Sequence, residues 1–291
     1  MSPLSASTAS QTAVPSLRGR IGCDVRSGHY VVPHRYRLHL SPACPHCLGI
    51  AVTHSLLGLG DTLPVTLLPA VPDAPDGGYS ALHALYEASS HQHPGPAAAP
   101  VLSDGWTGRI VSTHTPDILR DLAERFGEHG PVLFPRHAGE DIEAIGRLCE
   151  QHIDEAAQRA GRLGIGSADH ETALATLLRA LDSLERRLAG REYVLGGELT
   201  FADVQLWVTL VQLDTVHRWH LDAAAVHRIA EHRRLWSYAR RLAALPAFGS
   251  HLDLDAIARR HHARCQGQEA AGAAVQIVDW TAAHTPGRVT P

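Results

Sequence analysis

Hydrophobic and polar residues alternate with a period of two near the start of the chain. In RYRLHL, Tyr36, Leu38 and Leu40 alternate with polar positions, which predicts a β-strand with one apolar face. The next segment, CPHCLGIAVTHSLLGLG, predicts a helix that has Pro45 at its first position and ends at one of its last two glycines. LPVTLL, at 63–68, predicts a second strand.

A further strand pair and a helix are predicted before residue 128. A loop rich in Pro, Gly, Asp and His comes first and holds the short helical piece YSALHALYEASS. The segments APVL and GRIVS then predict a β-hairpin. TPDILRDLAERF predicts a helix with Thr115 as its N-cap and Pro116 at its first position. The order of elements is therefore β-α-β, a connection, and β-β-α.

From about residue 138 to 264 the pattern is nearly all helical. In LTFADVQLWVTLVQLD, Thr200 and Asp203 fit a variant of the capping box, and Leu199 with Val204 fits a hydrophobic staple. In an earlier segment, leucines recur three, four and seven residues apart, the spacing that predicts a buried helix face. Its leucines are Leu174, Leu177, Leu178, Leu181, Leu184 and Leu188. The last ~25 residues have little periodicity, and we expect them to wrap the surface.

The patterns divide the chain into a small α/β domain followed by an all-α domain. We expect a flexible tail at 1–16, the α/β domain at 17–128, the helical domain at 129–265 and a C-terminal tail at 266–291. A length of 291 residues suits two modest domains.

Composition and charge narrow the classes of function. A net charge of −4 gives no electrostatic reason to expect nucleic-acid binding. No apolar run reaches membrane-spanning length, and the Ser/Thr/Ala-rich N-terminus lacks the features of a signal peptide. Five cysteines without regular spacing argue against a disulfide-stapled secreted domain. We therefore expect a cytoplasmic protein that acts on a small molecule and has neither nucleic acid nor membrane as partner.

Cys44 stands where the first strand turns into the first helix. Exposed backbone N–H groups and the positive end of the helix dipole stabilise a thiolate at such a position and lower its pKa. A thiolate attacks sulfur or electrophilic carbon at neutral pH. Cys44 is therefore a candidate nucleophile.

Cys47 lies one helical turn after Cys44, and the pair of cysteines allows three interpretations. The two residues could form a dithiol redox pair, they could be small core residues, or they could be half of a zinc site. The zinc interpretation needs two more ligands, and the sequence holds no second CxxC and no HxxxH pattern. We therefore expect no metal, and we interpret Cys23, Cys149 and Cys265 as structural.

The start of the third predicted strand completes a thiol-binding thioredoxin-like domain. In a β-α-β…β-β-α domain, a proline at this position approaches the cysteine, and Pro100 is placed for it, with a cis peptide bond after Ala99. The backbone from Val101 onward could then pair with a bound thiol peptide as an added strand. The helix start at Ser112 to Thr115 offers N–H groups and a hydroxyl for a carboxylate.

Four segments together resemble the Xi class of the glutathione transferases, the glutathionyl-hydroquinone reductases. The class pattern RYHLYVSLACPWA is similar to RYRLHLSPACPHC, and its PVLWD…TGTIVNNES is similar to PVLSD…TGRIVSTHT. LTFADVQLWVTLVQLDTVHRWHL and HRIAEHRRLWSYARRLAALPA resemble two segments of its helical domain. The resemblance runs from about Arg18 to His262 and implies a thioredoxin-like N-terminal domain with an all-α glutathione-transferase C-terminal domain.

The resemblance also implies a mechanism. In this class, a cysteine at the position of Cys44 attacks the sulfur of a glutathionyl-hydroquinone, the hydroquinone leaves, and a second glutathione resolves the mixed disulfide. The class typically forms homodimers. Carried over to this chain, it implies a thiol site at His46, Pro100, Val101, Ser112, His114 and Thr115, and an acceptor pocket at Gln158, His217, His261 and His262.

Departures from the class pattern concentrate at the ligand positions. The aromatic residue after Cys-Pro is His46, an arginine that binds a glutathione carboxylate is replaced by Pro96, and the Glu-Ser pair for the γ-glutamyl end is His114-Thr115. The thiol could therefore be glutathione or mycothiol. A chain without lysine or asparagine is typical of GC-rich coding, as in actinobacteria, where mycothiol is the expected thiol.

Several functions remain open at this point. The first is a Cys44 enzyme that reduces or transfers thiol adducts of quinone-like or other small metabolites. The second is a dithiol-disulfide oxidoreductase in which Cys47 attacks the adduct on Cys44. A transferase or isomerase of specialised metabolism, or a non-enzymatic binding protein, could also use this fold.

Overall fold

The first part of the chain folds around a four-stranded mixed sheet. In the computed structural model, residues 17–127, 130–162, 167–265 and 269–280 are described. The strands are β1 (Tyr36–Leu40), β2 (Val65–Leu67), β3 (Val101–Asp104) and β4 (Arg109–Ser112), in the order β2-β1-β3-β4. β1 pairs parallel with β2 and antiparallel with β3, and β3 pairs antiparallel with β4.

The apolar alternation of β1 is the reason that this strand is central. Tyr36, Leu38 and Leu40 are all buried, whereas the Arg37 side chain between them is exposed. Three helices accompany the sheet: α1 (Pro45–Leu56), α2 (His83–Ser89) and α3 (Thr115–Asp121). The order β-α-β, then β-β-α, agrees with the sequence prediction.

One helix cap differs from its prediction by a residue. The N-cap of α3 is His114, and Thr115 is already the first helical residue. The hydroxyl of Ser112, two residues earlier, accepts the N–H of His114 at 3.1 Å. The predicted cap at Thr115 was therefore wrong, because Ser112 supplies the acceptor at this turn.

Eight further helices lie in the described part of the chain after α3. They are α4 (Gly139–Arg147), α5 (Glu155–Arg162), α6 (Ala168–Arg187), α7 (Phe201–Thr215), α8 (Ala223–Ala230), α9 (Arg233–Ala243), α10 (Pro246–Gly249) and α11 (Leu254–Cys265). A π-helical stretch, Leu148–Asp154, joins α4 to α5. The predicted architecture of an α/β part followed by a helical part is the one observed.

α1 of the first part packs against α7 of the second. Both contribute to one continuous hydrophobic core that extends from the sheet into the helices. Gly49 of α1 faces Val208 of α7, and a Cβ at this glycine would lie 4.0 Å from a Val208 methyl carbon, an ordinary packing distance. Because Cys44 is the N-cap of α1, this contact fixes the predicted nucleophile relative to the helical part.

The C-terminal segment differs from the surface tail that the sequence predicted. Within 269–280, the side chains of Val278 and Trp280 are buried, and the Trp280 indole N–H donates to the Asp214 carboxylate at 2.8 Å. The guanidinium of Arg218 donates to the carbonyls of Ala273 and Val275. These contacts fasten the segment to the end of α7, and a single buried tryptophan gives no periodic signal in the sequence.

None of the helices in the described ranges is both long enough and apolar enough to cross a bilayer.

Candidate active site

The end of β1 and the start of α1 position Cys44. Its backbone is extended, its N–H donates to the Ser41 carbonyl at 3.2 Å, and Pro45 follows as the first helical residue. Proline fits this position because its missing N–H is not needed in the first turn. The Cys44 side chain is 6% exposed and that of Cys47 is 1% exposed, so Cys44 is the thiol nearer to solvent.

The surroundings of Cys44 favour the thiolate. A hydrogen bond from the Cys47 thiol, helped by the Cys47 backbone N–H and by the charges of His46 and Arg260, lowers the pKa of Cys44 to about 6 against the opposing effect of burial. The same contact with the Cys44 thiolate, together with burial, raises the pKa of Cys47 well above its ordinary value. Near pH 7, Cys44 is thus the thiolate and Cys47 the thiol that donates to it.

The first residues of β3 and α3 form the wall beside Cys44. The Ala99–Pro100 peptide bond is cis, as the sequence predicted, and both residues line the cavity described below. His114 and Thr115 line it as well. Val101 does not, since its side chain is fully buried in a small core beneath the sheet.

Ser112 also stays away from the cavity wall. Its side chain is fully buried, and its hydroxyl is engaged by the His114 N–H. The side chains of Val101 and Ser112 therefore support this wall from behind. Contact of their backbone groups with a bound thiol stays a prediction.

A cavity of about 880 Å³ opens between the sheet and the helical part. Ala43, Pro45 and His46, the neighbours of Cys44 in sequence, border it, while the nearly buried Cys44 is not itself among the lining residues. α7 and α11 form the opposite wall. Of the predicted acceptor residues, Gln158, His217 and His261 line it. The volume is that of a small-molecule site.

His262 is the predicted acceptor residue that the structure does not bring to the cavity. Neighbouring residues on a helix point about 100° apart, so the two histidines of α11 face different ways. The His261 ring is buried, and burial lowers its pKa to about 4, which leaves it neutral. The side chain of His262 is 57% exposed and lies 3.5 Å from the Glu269 carboxylate.

His217 is paired with a carboxylate inside the cavity. Its Nε2 lies 3.5 Å from Oδ1 of Asp154, and the other oxygen of Asp154 accepts the Thr209 hydroxyl at 3.4 Å. All three residues line the cavity. Asp154 and His217 thus place a carboxylate and an imidazole side by side in the cavity wall, without a hydrogen bond between them.

Known proteins resemble this chain in sequence and in fold. The family described as glutathione S-transferase, C-terminal domain, matches residues 150–241. The glutathionyl-hydroquinone reductase PcpF of Sphingobium chlorophenolicum is 28% identical over 221 residues, 70% of each chain. A glutathione transferase from Gordonia bronchialis is 28% identical, with a TM-score of 0.75 over 87% of this chain and 84% of that one. The chain is therefore similar to glutathione S-transferases in its helical part and, at 28% identity, over most of its length.

Two further solved structures, one of them of a Xi-class glutathione transferase, resemble this chain in fold. The glutathione-bound structure of YqjG, from Escherichia coli, has a TM-score of 0.74 at 23% identity and covers 86% of this chain and 88% of that one. A Xi-class transferase from Natrialba magadii has a TM-score of 0.76 at 24% identity, over 88% and 83%. At these identities, the two structures support the fold, a thioredoxin-like domain followed by the all-α transferase domain.

The class pattern has a glutamate before the position of Thr115, where this chain has His114. A carboxylate lies nearby, on Asp117. The His114 ring contacts the Asp117 carboxylate at 2.9 Å. Asp117 is also engaged by Arg18 at 2.9 Å and by Arg20 at 3.6 Å. The carboxylate is therefore shared among three basic groups, and the edge of the site differs from the class pattern in charge.

Arg260 is a site residue that sequence reasoning missed. It lines the cavity, donates to the Tyr79 hydroxyl at 2.8 Å, and its charge lowers the pKa of Cys44. A signal was present, because Ile257, Arg260 and Arg264 have the spacing of one helix face. All three line the cavity.

Proposed function

We propose that this chain is a Cys44-dependent enzyme of the Xi-class type, which takes a low-molecular-weight thiol off adducts of quinone-like or other small metabolites. The observation that carries the proposal is the Cys44 thiolate at the start of α1, beside a cavity that Pro100 and His114 line on the same side. The relatives named glutathionyl-hydroquinone reductases support the reaction class.

The proposed reaction has two sulfur exchanges. The Cys44 thiolate attacks the thiol sulfur of the adduct, the carbon–sulfur bond breaks, and its electron pair stays on the aromatic carbon, which takes up a proton. A second thiolate then attacks the mixed disulfide and releases a symmetrical disulfide and the Cys44 thiolate. The quinol carbon is reduced, and two thiols become one disulfide.

We propose His217 as the residue that supplies the proton to the leaving carbon. It lines the cavity opposite the α1 wall, and its Nε2 lies 3.5 Å from the Asp154 carboxylate. A histidine exchanges protons near neutral pH and can be reprotonated from solvent. Gln158, on the same wall, is placed to contact the polar groups of the acceptor.

The thiol that we propose is glutathione, with mycothiol as the alternative. The glutathione-dependent relatives favour glutathione. Pro96 and His114 stand where the class pattern has a basic and an acidic ligand, and these changes favour a thiol without the γ-glutamyl group. We also propose, from the class resemblance, a homodimer that acts in the cytoplasm.

A dithiol oxidoreductase is the second candidate, and one observation favours it. Cys47 donates a hydrogen bond to Cys44, so it is within reach of a mixed disulfide there. In this route the Cys47 sulfur attacks Cys44, the low-molecular-weight thiol leaves, and an internal disulfide forms. Two further thiols then reduce that disulfide.

An activity assay with matched variants tests the first proposal. Purified protein is given a glutathionyl-hydroquinone and free glutathione, and hydroquinone release is followed; a parallel arm uses the mycothiol adduct with mycothiol. We expect turnover in one arm and a loss of at least about 1,000-fold in Cys44→Ser. Cys23→Ser is the control, since Cys23 is exposed and away from the cavity. No turnover in either arm, or full activity in Cys44→Ser, contradicts the proposal.

A further inference from the structure

Three side chains of types that bind metals lie close together beside the cavity. The proposed thiol reaction assigns no role to this cluster. The Cys265 sulfur lies 3.4 Å from Nε2 of His220 and 3.3 Å from each ring nitrogen of His261. The ligand atoms of the three residues all lie within 4.8 Å of one another. His261 and Cys265 are one turn apart on α11, while His220 ends the short helix His217–His220 that follows α7.

The protein holds the three side chains in place from several directions. At Gly161 of α5, a Cβ atom would stand 2.7 Å from the Cβ of His220, so only glycine allows α5 to pack against that histidine. The Trp219 ring packs on the His261 ring with centroids 5.5 Å apart. The Trp219 carbonyl accepts the N–H of Ala270 at 2.7 Å, which anchors the C-terminal segment beside the cluster.

We propose that His220, His261 and Cys265 form a zinc site. Two imidazoles and one thiolate are donors that Zn²⁺ prefers. Zinc–sulfur and zinc–nitrogen bonds of about 2.3 and 2.0 Å at a tetrahedral angle put the two ligand atoms about 3.5 Å apart, which is close to the separations in this cluster. The Cys265 thiol releases its proton to solvent when the metal binds.

Three protein ligands leave one coordination position of a tetrahedral zinc ion open. Such a position takes water or an added ligand in zinc enzymes. His261 lines the cavity, so the site borders the space proposed for the acceptor. His261 and Cys265 have the i, i+4 spacing of two ligands on one helix, but His220 lies 41 residues before His261, and no metal-ligand spacing joins those two.

Metal binding by the full-length protein tests the proposal. The purified chain is stripped with a chelator and titrated with Zn²⁺, and with Co²⁺ as a spectroscopic substitute. We expect one equivalent per chain and a sulfur-to-cobalt charge-transfer band. Cys265→Ser should lose the band and weaken zinc binding by at least about 100-fold, and His220→Gln should weaken it as well. Substoichiometric binding, or a Cys265→Ser protein that binds like the unaltered chain, overturns the proposal and leaves a hydrogen-bonded cluster.

Two controls separate this site from the other cysteines. Cys23→Ser removes an exposed thiol and should bind zinc as before. Cys44→Ser removes the proposed nucleophile and should also keep the metal, so that a failure of the thiol chemistry does not affect this test. If Cys44→Ser abolishes binding, the metal is held by the Cys44–Cys47 pair and the proposed site is wrong. Circular dichroism of each variant verifies that it is folded.

Discussion

At the scale of single residues, the chemistry of the site depends on how Cys44 is solvated. Its side chain is nearly buried, which by itself raises the pKa of a thiol, yet donors at the start of α1 and the charge of Arg260 reverse the effect. The largest of these contributions is the Cys47 thiol. Cys47 thus has a role in the reduced protein even where it does not resolve an adduct.

Alkylation of Cys44 as a function of pH tests this role. Because a thiolate is present above the pKa of its group, we expect the rate of modification by a small alkylating reagent to rise through about pH 6 and level off above it. Cys47→Ala removes the donor, and the midpoint should rise toward the ordinary value of about 8.5, which lowers the thiolate fraction at pH 6 by up to about 100-fold. Peptide mass spectrometry assigns the modified residue.

Cys47→Ser is the matched variant, because its hydroxyl can still donate. We expect its midpoint to lie between those of the unaltered protein and Cys47→Ala. Equal midpoints for all three proteins would show that the Cys47 side chain does not stabilise the thiolate.

Residues near Cys44 in sequence could be predicted, and those brought in from elsewhere could not. A cysteine between a strand and a helix that begins with proline can be interpreted from its neighbours in sequence alone. The same holds for the proline at the start of β3. Arg260 reaches Cys44 from more than 200 positions away, and which of His261 and His262 faces the cavity depends on the rotation of α11. That rotation is set by packing, which the sequence pattern describes only loosely.

At the scale of elements, the N-terminus of α7 shows a predicted helix cap whose carboxylate also makes contacts that the sequence did not predict. The proposed capping residue, Asp203, accepts the Thr200 backbone N–H at 2.8 Å and the Thr200 hydroxyl at 3.1 Å. It also accepts the N–H of Val194 and the hydroxyl of Tyr238. The capping box is confirmed. The contact with Tyr238 joins α7 to α9, and the contact with Val194 joins α7 to the loop that precedes α7.

Replacing this carboxylate should destabilise the whole protein. Asp203→Ala leaves four buried donors without an acceptor, and we expect the free energy of unfolding to fall by about 3 to 5 kcal/mol. Asp141→Ala, at the exposed start of α4, is the control and should cost less than about 1 kcal/mol. Urea denaturation of both variants measures the difference. A loss of similar size in the two would mean that the Asp203 network contributes little.

At the scale of the whole molecule, the site exists because two parts of the chain meet. The sheet and α1 supply the thiolate, while α7 and α11 supply the wall with the histidines. The order of strands and helices, and with it the fold, followed from periodicity and from a few motifs. The course of the C-terminal segment could not be predicted in this way. It depends on a single buried side chain, Trp280, and on hydrogen bonds from Arg218 to backbone carbonyls, and neither produces a periodic pattern in the sequence.

The mass of the adduct on Cys44 tests the central claim most directly. Reduced protein is mixed with a glutathionyl-hydroquinone, quenched with acid and measured intact, alongside Cys44→Ser and Cys47→Ser. We expect one added glutathione on Cys47→Ser, at Cys44 by peptide mapping, and none on Cys44→Ser. In the unaltered chain, a persistent adduct favours the monothiol route and a loss of two hydrogens favours the dithiol route. The absence of any adduct on Cys47→Ser, with this substrate and with the mycothiol adduct, would contradict the account.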